Sequence, residues 1–149
     1  MNEGDQAPPI HLQTDSGEYF DLAAAKGKKV VLFFYPRAST PGCTIEACEF
    51  RDDFKQFGKK GAVVLGISTD TPKDQTNFKE KQNLPYTLLC DVDKTVAQAY
   101  GVWKEKNMYG KKVMGIERTT FVIDERGRVK KIFPKVKPAG HAAEILETL

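Results

Sequence analysis

The sequence has few cysteines, no long apolar run and little excess charge, and each scarcity excludes a class of protein. Three cysteines in 149 residues are too few for the disulfide scaffold of a small secreted domain, so each thiol must be judged by its reactivity. The longest aliphatic and aromatic run, Val30–Tyr35, falls far short of the about 18–20 residues that span a bilayer. Residues 1–20 contain no apolar core of a signal peptide. We therefore expect a cytoplasmic protein without a membrane segment, although a transit peptide removed earlier would leave no trace here.

The charge balance identifies no charged partner. Lysine and arginine number 23 against 20 aspartates and glutamates, a formal net charge of +3. The excess lies in Lys104–Lys112 and in Lys130, Lys131, Lys135 and Lys137, and such mixed charge is typical of a solvated surface. The sequence has no zinc-ligand spacing, no RNP-like aromatic pattern and no long basic helix. We therefore expect neither a bound metal nor a nucleic-acid partner.

The predicted elements alternate strands with helices. No repeat, low-complexity tract or linker divides residues 1–149, so we expect one domain. Apolar patterning predicts strands at Ile10–Gln13, Glu18–Asp21, Val30–Tyr35, Val63–Ser68, Leu84–Leu89 (short or edge, because it contains Pro85), Thr119–Asp124 and Val129–Phe133. It predicts helices at Pro41–Phe57, Pro72–Lys81, Asp93–Tyr100 and Gly140–Leu149. This order predicts an α/β, thioredoxin-like fold, a central mixed β-sheet flanked by helices, with an N-terminal β-hairpin.

The residues most capable of chemistry follow the buried strand Val30–Tyr35. Thr40 is predicted to be the N-cap of a helix with Pro41 in its first position, which puts Cys43 in the first turn. The free N–H groups and the positive end of the helix dipole there stabilise a thiolate. Gly42 lets another group approach the sulfur closely. A cysteine on an apolar helical stripe is also typical of a structural thiol, and the pattern alone leaves that alternative open.

The segment Phe34–Cys48, FYPRASTPGCTIEAC, resembles the active-site segment of the peroxiredoxins. Its second cysteine, five residues after the first, resembles the peroxiredoxin Q (bacterioferritin comigratory protein) subgroup. The likeness covers nearly the whole chain and includes GISTD at Gly66–Asp70, LPYTLLCD at Leu84–Asp91, YGVW at Tyr100–Trp103 and RTTFVID at Arg118–Asp124. The PxxxTxxC core within the first segment is its most specific part.

The resemblance implies a role for each residue of this motif. Cys43 resembles the peroxidatic cysteine, which a hydroperoxide oxidises to a sulfenic acid. Cys48 resembles the resolving cysteine, which forms an intramolecular disulfide with it that thioredoxin or a similar dithiol reduces. Thr40 and Arg118 resemble the polar partners of the peroxide, and Pro36 resembles the residue that shields the pocket.

Two charged residues have a physical reason to act together at this site. Arg118 directly precedes the predicted strand Thr119–Asp124. From this position the N–H groups of its guanidinium can donate hydrogen bonds to both a thiolate and a peroxide. Glu46 lies three residues after Cys43, and its charge opposes a thiolate. We expect Glu46 to hydrogen-bond Arg118 and orient it; the alternative is an ordinary acid near a helix N-terminus. The subgroup more often has Ser at the position of Cys90, so we expect a passive thiol there.

The expected activity is that of a thiol peroxidase acting on hydrogen peroxide and organic hydroperoxides. No haem, flavin or nucleotide motif is present, so the cysteines themselves are the expected redox centre, with no cofactor. We expect a monomer. The alternative is a thioredoxin-like thiol–disulfide oxidoreductase, but that chemistry uses C-x-x-C, whereas Cys43 and Cys48 have C-x4-C spacing.

Overall fold

The computed structural model describes the backbone of residues 1–149 and every side chain except that of Met108. The strands are β1 (His11–Thr14), β2 (Tyr19–Asp21), β3 (Lys29–Phe34), β4 (Ala62–Ser68), β5 (Thr87–Cys90), β6 (Trp103–Met108), β7 (Lys111–Ile116), β8 (Thr119–Ile123) and β9 (Val129–Phe133). The α-helices are α1 (Pro41–Asp52), α2 (Phe54–Lys59), α3 (Pro72–Gln82), α4 (Thr95–Ala99) and α5 (His141–Leu146). None of the described helices is both long enough and apolar enough to cross a membrane.

One mixed sheet carries the site, with the strand order β2-β1-β5-β4-β3-β8-β9. Strands β3, β4 and β5 are parallel, and the helices α1, α2 and α3 form the crossovers between them. Strands β8 and β1 flank this parallel group in the antiparallel direction, and β2 and β9 complete the two edges. The predicted α/β, thioredoxin-like architecture and its N-terminal β-hairpin are confirmed.

The apolar core forms two layers, one on each face of the sheet, because successive side chains of a strand point to opposite faces. We call one the α1 layer; it includes Val31, Phe33, Cys43, Ala47, Phe50 and Phe57. The other, the opposite layer, includes Ile10, Val30, Leu32, Phe34, Tyr100 and Phe121. Strand β3 supplies both layers, which is why its sequence is apolar throughout.

The structure corrects the predicted helix Pro41–Phe57. Two helices, α1 and α2, replace it, and Asp53 separates them with φ −96° and ψ 7°. This bridge-region conformation suits Asp, whose side chain competes for backbone hydrogen bonds and is unfavourable inside a helix. Phe50 and Phe57 nevertheless pack in the same layer, so the apolar periodicity predicted the buried face correctly.

Two further predictions of secondary structure differ from the fold. Strand β5 is short as predicted, but it lies between β1 and β4 rather than at an edge. Pro85 precedes the strand, so its missing N–H removes no hydrogen bond from the ladder. The lysine-rich stretch Lys104–Lys112 is mostly exposed as expected, but it belongs to the antiparallel hairpin β6–β7, for which no strand was predicted. Tyr109 and Gly110 turn it with positive φ angles of 53° and 77°.

Candidate active site

The loop that leads from β3 into α1 is held from the end of β4. The backbone N–H of Tyr35 donates to the carbonyl of Ile67 at 3.0 Å and extends the parallel pairing by one residue. Three residues on, the N–H of Ala38 donates to Asp70 Oδ2 at 2.7 Å. Ser39 then adopts a left-handed conformation with φ 64°. These contacts fix the direction in which the chain enters α1, and the half-buried Pro36 lies within the fixed loop.

Helix α1 begins as predicted, with Thr40 extended and Pro41 in the first helical position. The hydroxyl of Thr40 does not cap the helix, however. It donates to the carbonyl of Arg37 at 2.8 Å, and the helix has no side-chain cap. The N–H groups of the first turn therefore keep their capacity to stabilise a negative charge on the sulfur of Cys43.

Arg118 connects helix α1 to the start of strand β8, the neighbour of β3 in the sheet. Its Nη2 donates to Cys43 Sγ at 3.3 Å, and its Nη1 donates to Glu46 Oε1 at 2.7 Å. Cys43 is 1% exposed and Glu46 is fully buried, so both contacts are shielded from water. The backbone of Arg118 is itself held, because its carbonyl accepts the N–H of Val136 at 2.9 Å. The predicted hydrogen bond between Glu46 and Arg118 is confirmed.

Gly42 matters because of this same guanidinium. A Cβ at position 42 would lie 3.2 Å from Arg118 Nη2 and 3.5 Å from Cγ of Pro138. A side chain there would push the arginine away from the sulfur of Cys43. The close approach to Cys43 predicted from the sequence at Gly42 is therefore made by the guanidinium of Arg118.

Burial changes the protonation of Glu46. Desolvation raises the pKa of its carboxyl from 4.5 to about 7, and the neighbouring charge and hydrogen bond of Arg118 oppose that rise. Oε1 accepts from Arg118, whereas Oε2 is buried without a partner. The Glu46 side chain consequently gains and loses its charge near neutral pH. When it is neutral, the charge of Arg118 acts mainly on the sulfur.

This raised pKa predicts a pH-dependent stability. Between pH 4.5 and about 7 the unfolded chain releases the Glu46 proton while the folded chain keeps it, so the free energy of unfolding falls as pH rises. At about 1.4 kcal/mol per pKa unit, the loss is about 3 kcal/mol. Glu46→Gln has no proton to release and should gain about this much relative to the original chain across that window. Urea unfolding at several pH values measures the difference, with the exposed Glu80→Gln as control. A difference that stays constant with pH would contradict the prediction.

Cys48 lies on the same helix and is half-buried. Its thiol donates to Gln82 Oε1 at 3.5 Å, and Arg51 Nη1 donates to the carbonyl of Gln82 at 2.7 Å. Two positions five residues apart on a straight helix have Cα atoms roughly 8.6 Å apart. A disulfide needs about 4.4–6.8 Å, so Cys43 and Cys48 cannot bond while α1 is intact.

Sequence reasoning missed three side chains around the site. Asp70 holds the loop, Gln82 contacts Cys48, and Lys106 from β6 is close enough for the charges of Arg118 and Cys43 to act on its pKa. Asp70 ends the GISTD stretch and follows a buried strand, which was a usable signal. The contact of Gln82 depends on the residue at which α3 ends, and the position of Lys106 depends on a hairpin without an apolar face. Neither feature produces a recognisable pattern in the sequence.

Cys90 and His141 lie outside the reactive cluster. Burial raises the pKa of the Cys90 thiol to about 12, with the charges of Asp15 and Asp70 adding to the effect, so it is protonated at neutral pH. His141 is buried, its Nε2 is 2.7 Å from the hydroxyl of Thr120, and burial lowers its pKa. The protonated thiol of Cys90 fits the passive role expected of it.

A buried cysteine in the first turn after the central strand, held by a half-buried arginine, defines a cysteine-based redox enzyme on a thioredoxin-like fold. The chain belongs to the AhpC/TSA family, whose model matches residues 3–132. A putative peroxiredoxin bcp of Coxiella burnetii is 56% identical over 146 residues, 98% of this chain and 97% of that protein. Peroxiredoxin Bcp of Bacillus subtilis is 49% identical over 146 residues, 98% of this chain and 93% of that protein.

A solved structure agrees with these relatives. The bacterioferritin comigratory protein of Xanthomonas campestris superposes with a TM-score of 0.89 and 42% identity, covering 93% of this chain and 88% of that chain. The predicted family is confirmed. The chain is a thiol peroxidase that takes a peroxide and a thiol reductant, and the alternative thiol–disulfide oxidoreductase is not favoured.

Proposed function

We propose that Cys43 is the peroxidatic residue. Its thiolate attacks the distal oxygen of a hydroperoxide; an S–O bond forms, the O–O bond breaks, and the leaving alkoxide or hydroxide takes up a proton as alcohol or water. The sulfur is oxidised by two electrons to the sulfenic acid, and the peroxide is reduced by two. The observation that carries the proposal is the guanidinium of Arg118, 3.3 Å from Cys43 Sγ and fixed by Glu46.

The peroxide is proposed to bind between Arg118 and the first turn of α1. Arg118 keeps donor capacity for an oxygen atom beside the sulfur, because a guanidinium has five N–H donors and only two interactions are made with Cys43 and Glu46. The hydroxyl of Thr40 is proposed to contact the second oxygen, and Pro36 to limit the entry of water. Donors fixed in advance stabilise charge as it moves to the leaving oxygen.

Arg118→Ala tests this arrangement. We expect the second-order rate of the peroxide reaction to fall about 100-fold, because one fixed donor to the developing charge is lost. Arg118→Lys should recover only part of the rate, since an ammonium group cannot hold Glu46 and the sulfur in one plane. Stopped-flow fluorescence measures the rate, and chemical denaturation shows whether each variant is folded. A rate in Arg118→Ala equal to that of the original chain would assign activation to the helix terminus alone.

Cys48 is proposed to resolve the sulfenic acid. Its thiolate attacks the Cys43 sulfur; the S–S bond forms, the S–O bond breaks and the hydroxide leaves as water. Because the intact helix keeps the two residues too far apart, residues 42–49 are proposed to unwind. The cost is modest, since this part of α1 contributes only Cys43 and Ala47 to the α1 layer while Phe50 stays docked.

Hydrogen exchange tests the unwinding. We expect the amides from Thr44 to Phe50 to be protected in the reduced protein and to exchange at least about tenfold faster in the disulfide form, because the helical hydrogen bonds are lost. The amides of β3 serve as an internal control and should exchange equally in both forms. Equal protection of residues 44–50 in both forms, with the disulfide verified by mass, would contradict local unwinding.

The relatives also bear on the substrate range, the reductant, the oligomeric state and the compartment. The Xanthomonas campestris protein was studied for alkyl peroxide reduction, which supports organic hydroperoxides as substrates here besides hydrogen peroxide. We propose thioredoxin or a similar dithiol as the reductant, a monomer as the active form and the cytoplasm as the compartment.

Mass spectrometry after one equivalent of peroxide tests the proposed function most directly. We expect the intact protein to lose two hydrogens and the loss to map to the peptide that contains Cys43 and Cys48. The dithiol should restore the original mass. A stable change that maps to Cys90, or no change while peroxide disappears, would overturn the proposal.

A further inference from the structure

The end of α3 contacts α1 at the resolving cysteine through one residue. Gln82 is the last residue of α3, and Asn83 closes the helix in the left-handed conformation with φ 53°. The side-chain Oε1 of Gln82 accepts from Cys48 Sγ at 3.5 Å, and its backbone carbonyl accepts from Arg51 Nη1 at 2.7 Å. Gln82 thus contacts α1 at two positions, one within the segment proposed to unwind and one just beyond it.

We propose that Gln82 is a positioning residue that controls when Cys48 becomes available to attack Cys43. Its side chain holds Cys48 against the end of α3 while α1 is folded and releases it when α1 unwinds. The inference rests on the proposed role of Cys48 in resolution. It goes beyond that role because it assigns the timing of disulfide formation to the contact between α1 and α3.

The side-chain contact restrains Cys48 in the folded helix. Its thiol donates to Gln82 Oε1, and this hydrogen bond joins α1 to the end of α3. In the folded helix Cys48 cannot reach Cys43. Unwinding of residues 42–49 has to break the bond, so the bond slows the opening that brings Cys48 to the sulfenic acid.

The backbone contact sets where unwinding stops. Arg51 donates to a carbonyl at the end of α3, where a helix has unpaired acceptors and favours a positive charge. The guanidinium also pairs with Asp52 at 3.0 Å. Beside it, Phe50 is buried in the α1 layer. The rest of α1 therefore remains docked on α3 while residues up to 49 leave, and the unwound segment stays short enough for Cys48 to find Cys43.

Two substitutions of Gln82 with opposite expected effects test the proposal in the full-length reduced protein. In Gln82→Ala the acceptor is absent, so single-turnover disulfide formation should be about two- to tenfold faster, the range expected for one hydrogen bond. In Gln82→Glu a carboxylate oxygen accepts a stronger, charge-assisted hydrogen bond from the thiol, so unwinding and the disulfide formation that follows it should slow by a similar factor. Lys81→Ala changes the exposed neighbour on the same helix and should match the original chain.

Rapid-quench mass spectrometry measures the conversion of sulfenic acid to disulfide, and excess peroxide measures the competing formation of Cys43 sulfinic acid. A change in the same direction in Gln82→Ala and Gln82→Glu would show that position 82 acts through the stability of α3 and not through its bond to Cys48, and unchanged rates in both would also overturn the inference. If peroxide oxidises the original chain without a Cys43–Cys48 disulfide, the proposed function itself fails, and this outcome is distinct from either result for Gln82.

Discussion

Cys43→Ser is expected to lose peroxide consumption entirely, a decrease of at least about 1,000-fold. A serine hydroxyl does not ionise near neutral pH and cannot be oxidised to a sulfenic acid, so neither the attack nor the redox step remains. The donors of Arg118 stay in place but have no thiolate to activate. Peroxide consumption with excess dithiol measures the loss, and denaturant unfolding shows that the buried site is still folded.

Cys90→Ser is the matched control for that experiment, because it also replaces a buried cysteine with serine. The Cys90 thiol, with a pKa raised to about 12 by burial, is protonated under assay conditions, so its loss should leave the rate within about twofold. If turnover survives in Cys43→Ser but disappears in Cys90→Ser, the cysteine that reacts with peroxide is Cys90 in β5 and not Cys43 in α1.

Cys48→Ser is expected to separate the two halves of the cycle. The first equivalent of peroxide should still be consumed, since Cys43 and Arg118 are unchanged, but dithiol-supported turnover should fall to background. Without an internal thiol, the sulfenic acid of Cys43 persists and further peroxide converts it to sulfinic acid. Intact mass after one and after ten equivalents of peroxide distinguishes these products. Full thioredoxin-supported cycling in this variant would remove Cys48 from the mechanism and direct attention to Cys90.

Most of the candidate site was predictable because it lies on one continuous segment. The transition from a buried strand to Thr40 and Pro41 defines a helix N-terminus through local backbone chemistry alone, and this places Cys43 in the first turn. The pairing of Glu46 with Arg118 was also predictable. A carboxylate next to a thiolate is electrostatically unfavourable unless a cation lies between them. Arg118 directly precedes β8, the strand that pairs with β3, and it supplies that cation.

The features that were missed depend on tertiary structure or on small local energies. The hydroxyl of Thr40 can accept from a backbone N–H of the first turn, as in a helix cap, or donate to a nearby carbonyl, and no sequence pattern selects the donation to Arg37 that the structure shows. The contact of Cys48 with Gln82 spans 34 positions and depends on the residue at which α3 ends. Hairpin β6–β7 has charged residues on both faces, so the apolar alternation by which strands are recognised is absent.

The division of the core into two layers has a practical consequence for protein engineering. A designer who wants a heat-resistant catalyst must avoid stiffening the segment of α1 that is proposed to unwind in every cycle. Stabilising substitutions belong instead in the opposite layer, whose described buried residues include Ile10, Leu32 and Tyr100 and none from α1. The sheet thus separates the layer that can be redesigned for heat tolerance from the helix that carries the chemistry.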